Sequence, residues 1–424
     1  MKKWIFLLLA SLIINSCEKV TPRNTNQPLF ECSLEEQNRF VYEYMQDRYF
    51  WYKYLPNVDY KNYSSVYALL EDLKYELDRW SFIIDKEILD EYFEGGEYIG
   101  YGIKLDIKDN KLYITLVYPN TPASKAGLKR GTQILEINNK PVEGMSFEEI
   151  NLAFGEDRVG VKTLLKVIID NEIKEIEITK DIIVAPSVIA QTILEIDNQK
   201  VGYFVFDRFV APSSQELKEL FSYFKAQNID SLIVDLRYNS GGLVDVANDL
   251  VSLIKGDGLE NEVSFKLLYN DKHSDENSIY YITKDSNSLN VDNIYFITTY
   301  YSCSASEAVI NALKPYANVY IIGSRSCGKP VGMVGGEFCG KYLLPIEFEI
   351  VNSQDEGRYF DGLEVDCAAQ DDITRDFGDE EEGMLKETIY LIKNQSCSAV
   401  AMQRELPTKT YLKLKGFKEI VGGF

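Results

Sequence analysis

The chain of 424 residues has one histidine and three tryptophans, and its 45 lysines and arginines are outnumbered by 66 aspartates and glutamates. The single imidazole, His273, sits in Tyr269-Asn270-Asp271-Lys272-His273-Ser274-Asp275-Glu276-Asn277, a polar run that reads as an exposed loop. A Ser-His-Asp triad is therefore not expected. A structural zinc site has as little support, because no two cysteines stand in a CxxC spacing and imidazole ligands are scarce. The formal charge of −21 argues against nucleic acid as a partner, since an acidic surface repels a polyanion and releases no counterions. The apolar run from Trp4 to Ile14 is too short to cross a bilayer.

That same run, preceded by Lys2-Lys3 and followed by Asn15-Ser16-Cys17, has the charged start and short apolar core of a secretory signal. Its end resembles a bacterial lipobox, apart from Asn15, so residues 1–17 read as a lipoprotein signal with Cys17 as the lipidated residue; the alternative is an ordinary cleavable signal. Residues 18–33 then read as a polar tether. Six further cysteines, Cys32, Cys303, Cys327, Cys339, Cys367 and Cys397, permit disulfides outside the cytoplasm, and sequence does not choose among their fifteen pairings.

Hydrophobic residues make up 45% of the chain, enough for two or three cores. Residues 34–97 form the first unit, a small helical domain. Ser33-Leu34-Glu35-Glu36 supplies a capping-box start for an aromatic-rich helix through Tyr52, and Val66, Leu69, Leu70, Leu73 and Leu77 recur at helical spacing over 64–77. Residues 98–184 change to short alternating strands at 102–107, 111–117, 133–138, 162–169 and 172–178, with a short helix after Pro122 and another over Phe147–Phe154. This order resembles a PDZ domain of the bacterial protease type. The resemblance makes Gly100-Tyr101-Gly102-Ile103 its carboxylate-binding loop, where a peptide adds a strand. From 185 to 395, apolar strands alternate with helices, as in an α/β domain whose largely parallel sheet collects sites at the carboxyl ends of its strands. Residues 256–290 read as a polar surface excursion, and 396–424 as a solvated tail with a modest basic excess.

Three strand ends of the α/β segment carry the residues suited to chemistry. Ser231–Leu236 runs into Arg237-Tyr238-Asn239-Ser240-Gly241-Gly242, where paired glycines let backbone N–H groups approach a substrate. Ile294–Thr299 runs into Tyr300-Tyr301-Ser302-Cys303-Ser304-Ala305-Ser306-Glu307 and a helix, which sets Ser304 at a helix N-terminus that favours developing negative charge. Ser306 competes with it as a plain helix cap, and Cys303 reads as packing or disulfide. Val319–Gly323 leads to Ser324-Arg325-Ser326-Cys327-Gly328-Lys329-Pro330; a lysine acts as a base only when neutral, which requires desolvation or a neighbouring cation.

Together these runs resemble the carboxyl-terminal processing (tail-specific) proteases of peptidase family S41, in a Bacteroidetes-type lipoprotein branch. The resemblance implies an α/β multidomain protein with a ClpP/crotonase-like α/β catalytic domain, a β-rich PDZ-like domain and a small N-terminal helical domain. It implies Ser304 as nucleophile, Lys329 as general base, and an oxyanion hole from the Ala305 N–H with that of Gly241 or Gly242. The family often has a glutamine four residues beyond the lysine that orients it, whereas this chain has Met333, and Pro330 replaces a usual glycine.

The expected protein is a serine endopeptidase of a Gram-negative cell envelope, lipid-anchored, acting on polypeptides near their C-termini without metal or organic cofactor. Two alternatives remain: a catalytically silent peptide-binding lipoprotein, and a hydrolase acting on another acyl substrate.

Overall fold

The computed structural model describes residues 32–399, together with 401, 418, 421, 423 and 424. Cys17 and the expected signal lie outside the described residues. No helix among the described residues is long and apolar enough to cross a membrane.

The α/β segment is built on a six-stranded sheet in the order Val188–Ile196, Gln199–Phe206, Ser231–Asp235, Asn293–Thr298, Asn318–Gly323, Cys367–Ala368. Its first pair is antiparallel and the rest are parallel. Alternate side chains along each strand serve opposite faces. Phe204, Leu232, Val234, Ile294 and Phe296 pack on helices Ser213–Gln227, Val244–Lys255 and Ala305–Leu313. Tyr203, Ile233, Tyr295 and Ile297 pack on helix Gly383–Asn394.

The segment 256–290 differs from expectation. Val263–Tyr269 and Ser278–Tyr281 are strands of a second, four-stranded antiparallel sheet with Phe348–Asn352 and Val331–Gly332. The reason is visible in the residues: Phe265 and Leu267 alternate inward onto the main core, an apolar pattern obscured by the polar residues around it. Helix Ser213–Gln227 begins behind Pro212, and Glu216 in its first turn accepts N–H bonds from Ser187 and Val188.

The N-terminal unit has helices Leu34–Arg48, capped by Ser33, and Val66–Leu73, shorter than the spacing predicts, with Leu77 exposed. Its strand Phe82–Asp85 pairs with Lys341–Leu344, so this unit shares a sheet with the peptidase segment. Cys32–Cys339 adds a covalent tie, and Cys367–Cys397 closes the end of helix Gly383–Asn394. His273 is not free in an exposed loop: its ring meets Asp47, Arg48 and Glu276 where the first helix docks.

The β-rich unit is a five-strand meander with one short extra strand and helices Pro122–Lys125 and Phe147–Phe154 around a core of Ile103, Leu112, Ile134, Ile150, Phe154 and Leu165. Glu97–Gly100 pairs with Asp181–Val184, so the chain enters and leaves this unit side by side.

Buried charge fixes this unit to the α/β sheet. Arg237, fully buried, meets Asp235 at 2.6 Å, Asp371 at 2.7 Å and Glu382 at 2.9 Å. Arg130 of the β-rich unit joins the same Asp371 and reaches the Tyr238 hydroxyl at 2.8 Å. Lys104, also from that unit, sits 2.7 Å from Asp207 and donates to the Tyr238 carbonyl.

Burial alone would push the Asp371 carboxyl up, but Arg130 and Arg237 hold it well below the usual carboxylate range. A depressed carboxyl pKa adds stability above the unfolded value near 4 and loses it as pH falls further. Asp371→Asn leaves two buried guanidiniums short of a counter-charge and is expected to cost about 3–5 kcal/mol. Thermal unfolding as a function of pH checks both points: the midpoint drops below about pH 4, and the variant starts lower with a shallower acid slope.

Candidate active site

Ser304 stands at the N-cap of helix Ala305–Leu313 with φ 55° and ψ −114°. A non-glycine residue in that region is strained, and such strain persists only where the surroundings over-determine it. Here they do. The Ser304 N–H donates to Glu307 Oε2 at 3.0 Å, one turn along the same helix. Glu307 also accepts from the N–H of Gly328 at 2.7 Å, the N–H of Lys329 at 2.8 Å and the Ser326 hydroxyl at 2.5 Å. One fully buried carboxylate thus holds the serine turn and the lysine turn together.

Burial pushes the Glu307 carboxyl above its ordinary value, opposed by the hydrogen bonds from Ser326, Lys329, Gly328 and Ser304. A second tie runs beside it: Cys303 and Cys327, the neighbours of Ser304 and Gly328, form a disulfide. This decides between the two readings of Cys303. Ser306 is not the cap; it is buried, and its hydroxyl donates to the Asn239 carbonyl at 3.0 Å.

The glycine turn abuts the serine. A Cβ on Gly241, which has φ 100°, would come within 2.8 Å of the Ser304 Cβ and 2.9 Å of the Ala305 nitrogen. Asn239 shapes this turn, donating to the Phe206 carbonyl at 2.9 Å and accepting the Gly241 N–H on its side-chain oxygen at 2.9 Å. That bond engages the Gly241 N–H, so the expectation that either glycine offers its N–H narrows to Gly242. Gly241 serves by lacking a side chain.

Lys329 is buried, and its ammonium lies 6.0 Å from the ring centre of Trp80. Trp80 comes from the N-terminal unit, in a turn braced by Asp78, which accepts the N–H groups of Trp80 and Ser81. Arg79 donates to the Cys327 carbonyl at 2.9 Å, so the N-terminal unit also grips the loop that carries the lysine. Met333 packs into the apolar cluster of that unit.

At the β-rich unit, the N–H groups of Tyr101, Gly102 and Ile103 converge on the main-chain oxygen of Phe424 at 3.1, 3.1 and 3.2 Å. Tail residues Val421, Gly423 and Phe424 are buried, which corrects the reading of 396–424 as a solvated end. The two sites are bridged by the docking contacts: Lys104 bonds Tyr238 in the glycine turn, and the Tyr301 hydroxyl, three residues before Ser304, donates to Asp106 at 2.6 Å.

Sequence reasoning missed Trp80, Arg79, Asn239 and the bridging role of Glu307. Only Glu307 left a trace, as the fourth residue of a Ser-x-x-Glu capping pattern.

A helical N-terminal unit, a PDZ-like unit and an α/β sheet with a serine turn facing a lysine turn define a multidomain serine-hydrolase architecture. Family models match in the same order: Peptidase S41 N-terminal domain over residues 36–82, PDZ domain over 91–158, and Peptidase family S41 over 200–362. A solved structure from Bacteroides fragilis, described as "Putative S41 protease", covers 84% of this chain and 97% of its own, with TM-score 0.68 at 22% identity. The photosystem II D1 C-terminal processing protease covers 80% and 93%, with TM-score 0.53 at 17% identity. A Staphylococcus aureus protein named "Probable CtpA-like serine protease" is 25% identical over 354 residues, 81% of this chain and 68% of that protein; other curated relatives of that name are spanned to only about half their length, 54% in one case. In its peptidase segment and its N-terminal unit the chain is similar to peptidase family S41.

Both Glu307 oxygens only accept, so in Glu307→Gln an amide NH2 must face N–H or O–H donors. The expected result is a roughly 10²-fold fall in kcat with KM little changed, because a displacement of about 1 Å at a reacting group costs that much; steady-state kinetics on a correctly folded variant reads it. Replacing Cys303 and Cys327 together by alanine removes a tie across 24 residues and is expected to cost about 3 kcal/mol, read as a shift in the denaturation midpoint.

Proposed function

We propose that this chain is a serine endopeptidase that cleaves polypeptides near their C-termini by a Ser-Lys mechanism. The observation that carries the reading is the shared clamp on the two loops, in which Glu307 binds the N–H of Ser304 and the N–H of Lys329. Neutral Lys329 takes the proton of Ser304 as its oxygen bonds to the scissile carbonyl carbon. The tetrahedral oxyanion then faces the N–H groups of Ala305 and Gly242. Lys329 returns the proton to the leaving amine, an ester to Ser304 remains, and water activated by the same lysine hydrolyses it. Water is the only co-reactant.

The loop Gly100–Ile103 receives the substrate's C-terminal carboxylate, as its converging N–H groups suit a β-strand addition. Three disulfides accord with an oxidising compartment, and with Cys17 as a lipid anchor the enzyme belongs to the cell envelope of a Gram-negative bacterium.

The test is cleavage of an unfolded protein by the purified chain beside Ser304→Ala and Lys329→Ala. Each variant is expected to lose about 10³-fold or more in kcat/KM. Equal rates in all three proteins contradict the mechanism and favour a silent peptide binder.

A further inference from the structure

The peptide groove of the β-rich unit is occupied by the chain's own tail. Phe424 pairs with Ile103 in both directions, its N–H donating to the Ile103 carbonyl at 2.8 Å and its oxygen accepting from the Ile103 N–H at 3.2 Å. With the N–H groups of Tyr101 and Gly102 on that same oxygen, this is one added strand residue ending in a three-donor nest. Its side chain is 2% exposed, in a pocket with Phe147 and Phe154, ring centres 5.9 and 5.4 Å away.

The groove is shaped to this occupant. A Cβ on Gly100 would stand 2.8 Å from the Phe424 carbonyl carbon and 2.8 Å from the Tyr98 ring, so glycine leaves room there for both the tail and Tyr98. Three residues earlier, Val421 is buried among Tyr92, Tyr98 and Tyr118. The Lys418 ammonium lies 4.8 Å from the centre of the Phe424 ring and 3.2 Å from Asp157, which Lys180 also pairs at 2.7 Å. Aromatic pocket, aliphatic contact and ion pair together account for a specific seat.

Resting on the reading of this groove as the peptide site, we propose that the tail, seated through Lys418, Val421 and Phe424, is a resident ligand that incoming peptides must displace, and that the pocket selects polypeptides whose C-terminal residue is bulky and aromatic. Burying a phenylalanine side chain contributes roughly 1.5–3 kcal/mol, which a small or charged terminal residue forfeits. Tethering gives the tail an effective concentration on the order of mM, so a competing peptide faces a large handicap until the tail leaves.

The test uses the full chain carrying Ser304→Ala, so that binding is read without cleavage. The probe is a fluorescent peptide of residues 416–424, Gly-Phe-Lys-Glu-Ile-Val-Gly-Gly-Phe, with a free carboxylate, followed by anisotropy. Adding Phe424→Asp to the protein is expected to tighten binding at least tenfold, and the same peptide ending in Asp, or as its C-terminal amide, is expected to bind at least tenfold more weakly. Deleting 418–424 gives a second chain with the same expected gain, in case the substituted tail disturbs folding. Equal, tight binding to the chains with and without the tail overturns the resident ligand while leaving the groove. Absence of binding to any chain overturns the groove itself, and neither result touches the Ser304-dependent cleavage that tests the peptidase.

Discussion

The buried carboxylate of Glu307 is the constraint on which the site depends. Ser304 lies in a backbone region that a serine avoids, and Lys329 lies on a loop from a different strand. The Ser304 conformation is not stable by its own local preference. Glu307 accepts the N–H of both, and its own desolvation is offset only while all of those donors are in place. The arrangement is therefore close to all-or-none: the donors satisfy the carboxylate, and the carboxylate fixes the donors. The Cys303–Cys327 bond closes the same gap covalently.

Around that clamp the three units are not beads on a string. The N-terminal unit presses Trp80 toward the lysine and holds its loop through Arg79. The β-rich unit reaches the glycine turn through Lys104 and the serine turn through Asp106. A change at the peptide groove involves Ile103, and the next residue in the chain is Lys104. Groove occupancy and the shape of the turn beside Ser304 are thus joined by adjacent residues of one strand, a short physical route for coupling one to the other.

Much of the architecture was legible because it is periodic. The alternation in 111–117 and 162–169 and the apolar strands at 231–236 and 294–299 appear within a residue or so of their expected bounds. Glycine pairs and the serine-to-lysine spacing brought Gly241, Ser304 and Lys329 to one place. What was not legible depends on long-range partners. Val263–Tyr269 looked irregular because its pattern makes sense only beside Phe348–Asn352. Trp80 lies about 250 positions from Lys329, the sequence separation at which Arg79 reaches the same loop. The tail looked solvated because its lysines are conspicuous, whereas its last residue finds a pocket built from Phe147 and Phe154. Met333, where the family resemblance leads one to look for a lysine-orienting glutamine, packs in the N-terminal cluster, and the contacts of Lys329 include the bond from its N–H to Glu307 and the Trp80 ring near its ammonium.

The proposed mechanism, in which Lys329 activates Ser304 as a nucleophile, is tested most directly by labelling with a fluorophosphonate. An activated serine displaces fluoride and keeps a phosphonyl group, which mass spectrometry of proteolytic fragments locates. The account predicts one adduct, on Ser304, formed in the unchanged chain and absent from Lys329→Ala. An adduct on another residue, or equal labelling of Ser304 in the lysine variant, would contradict it.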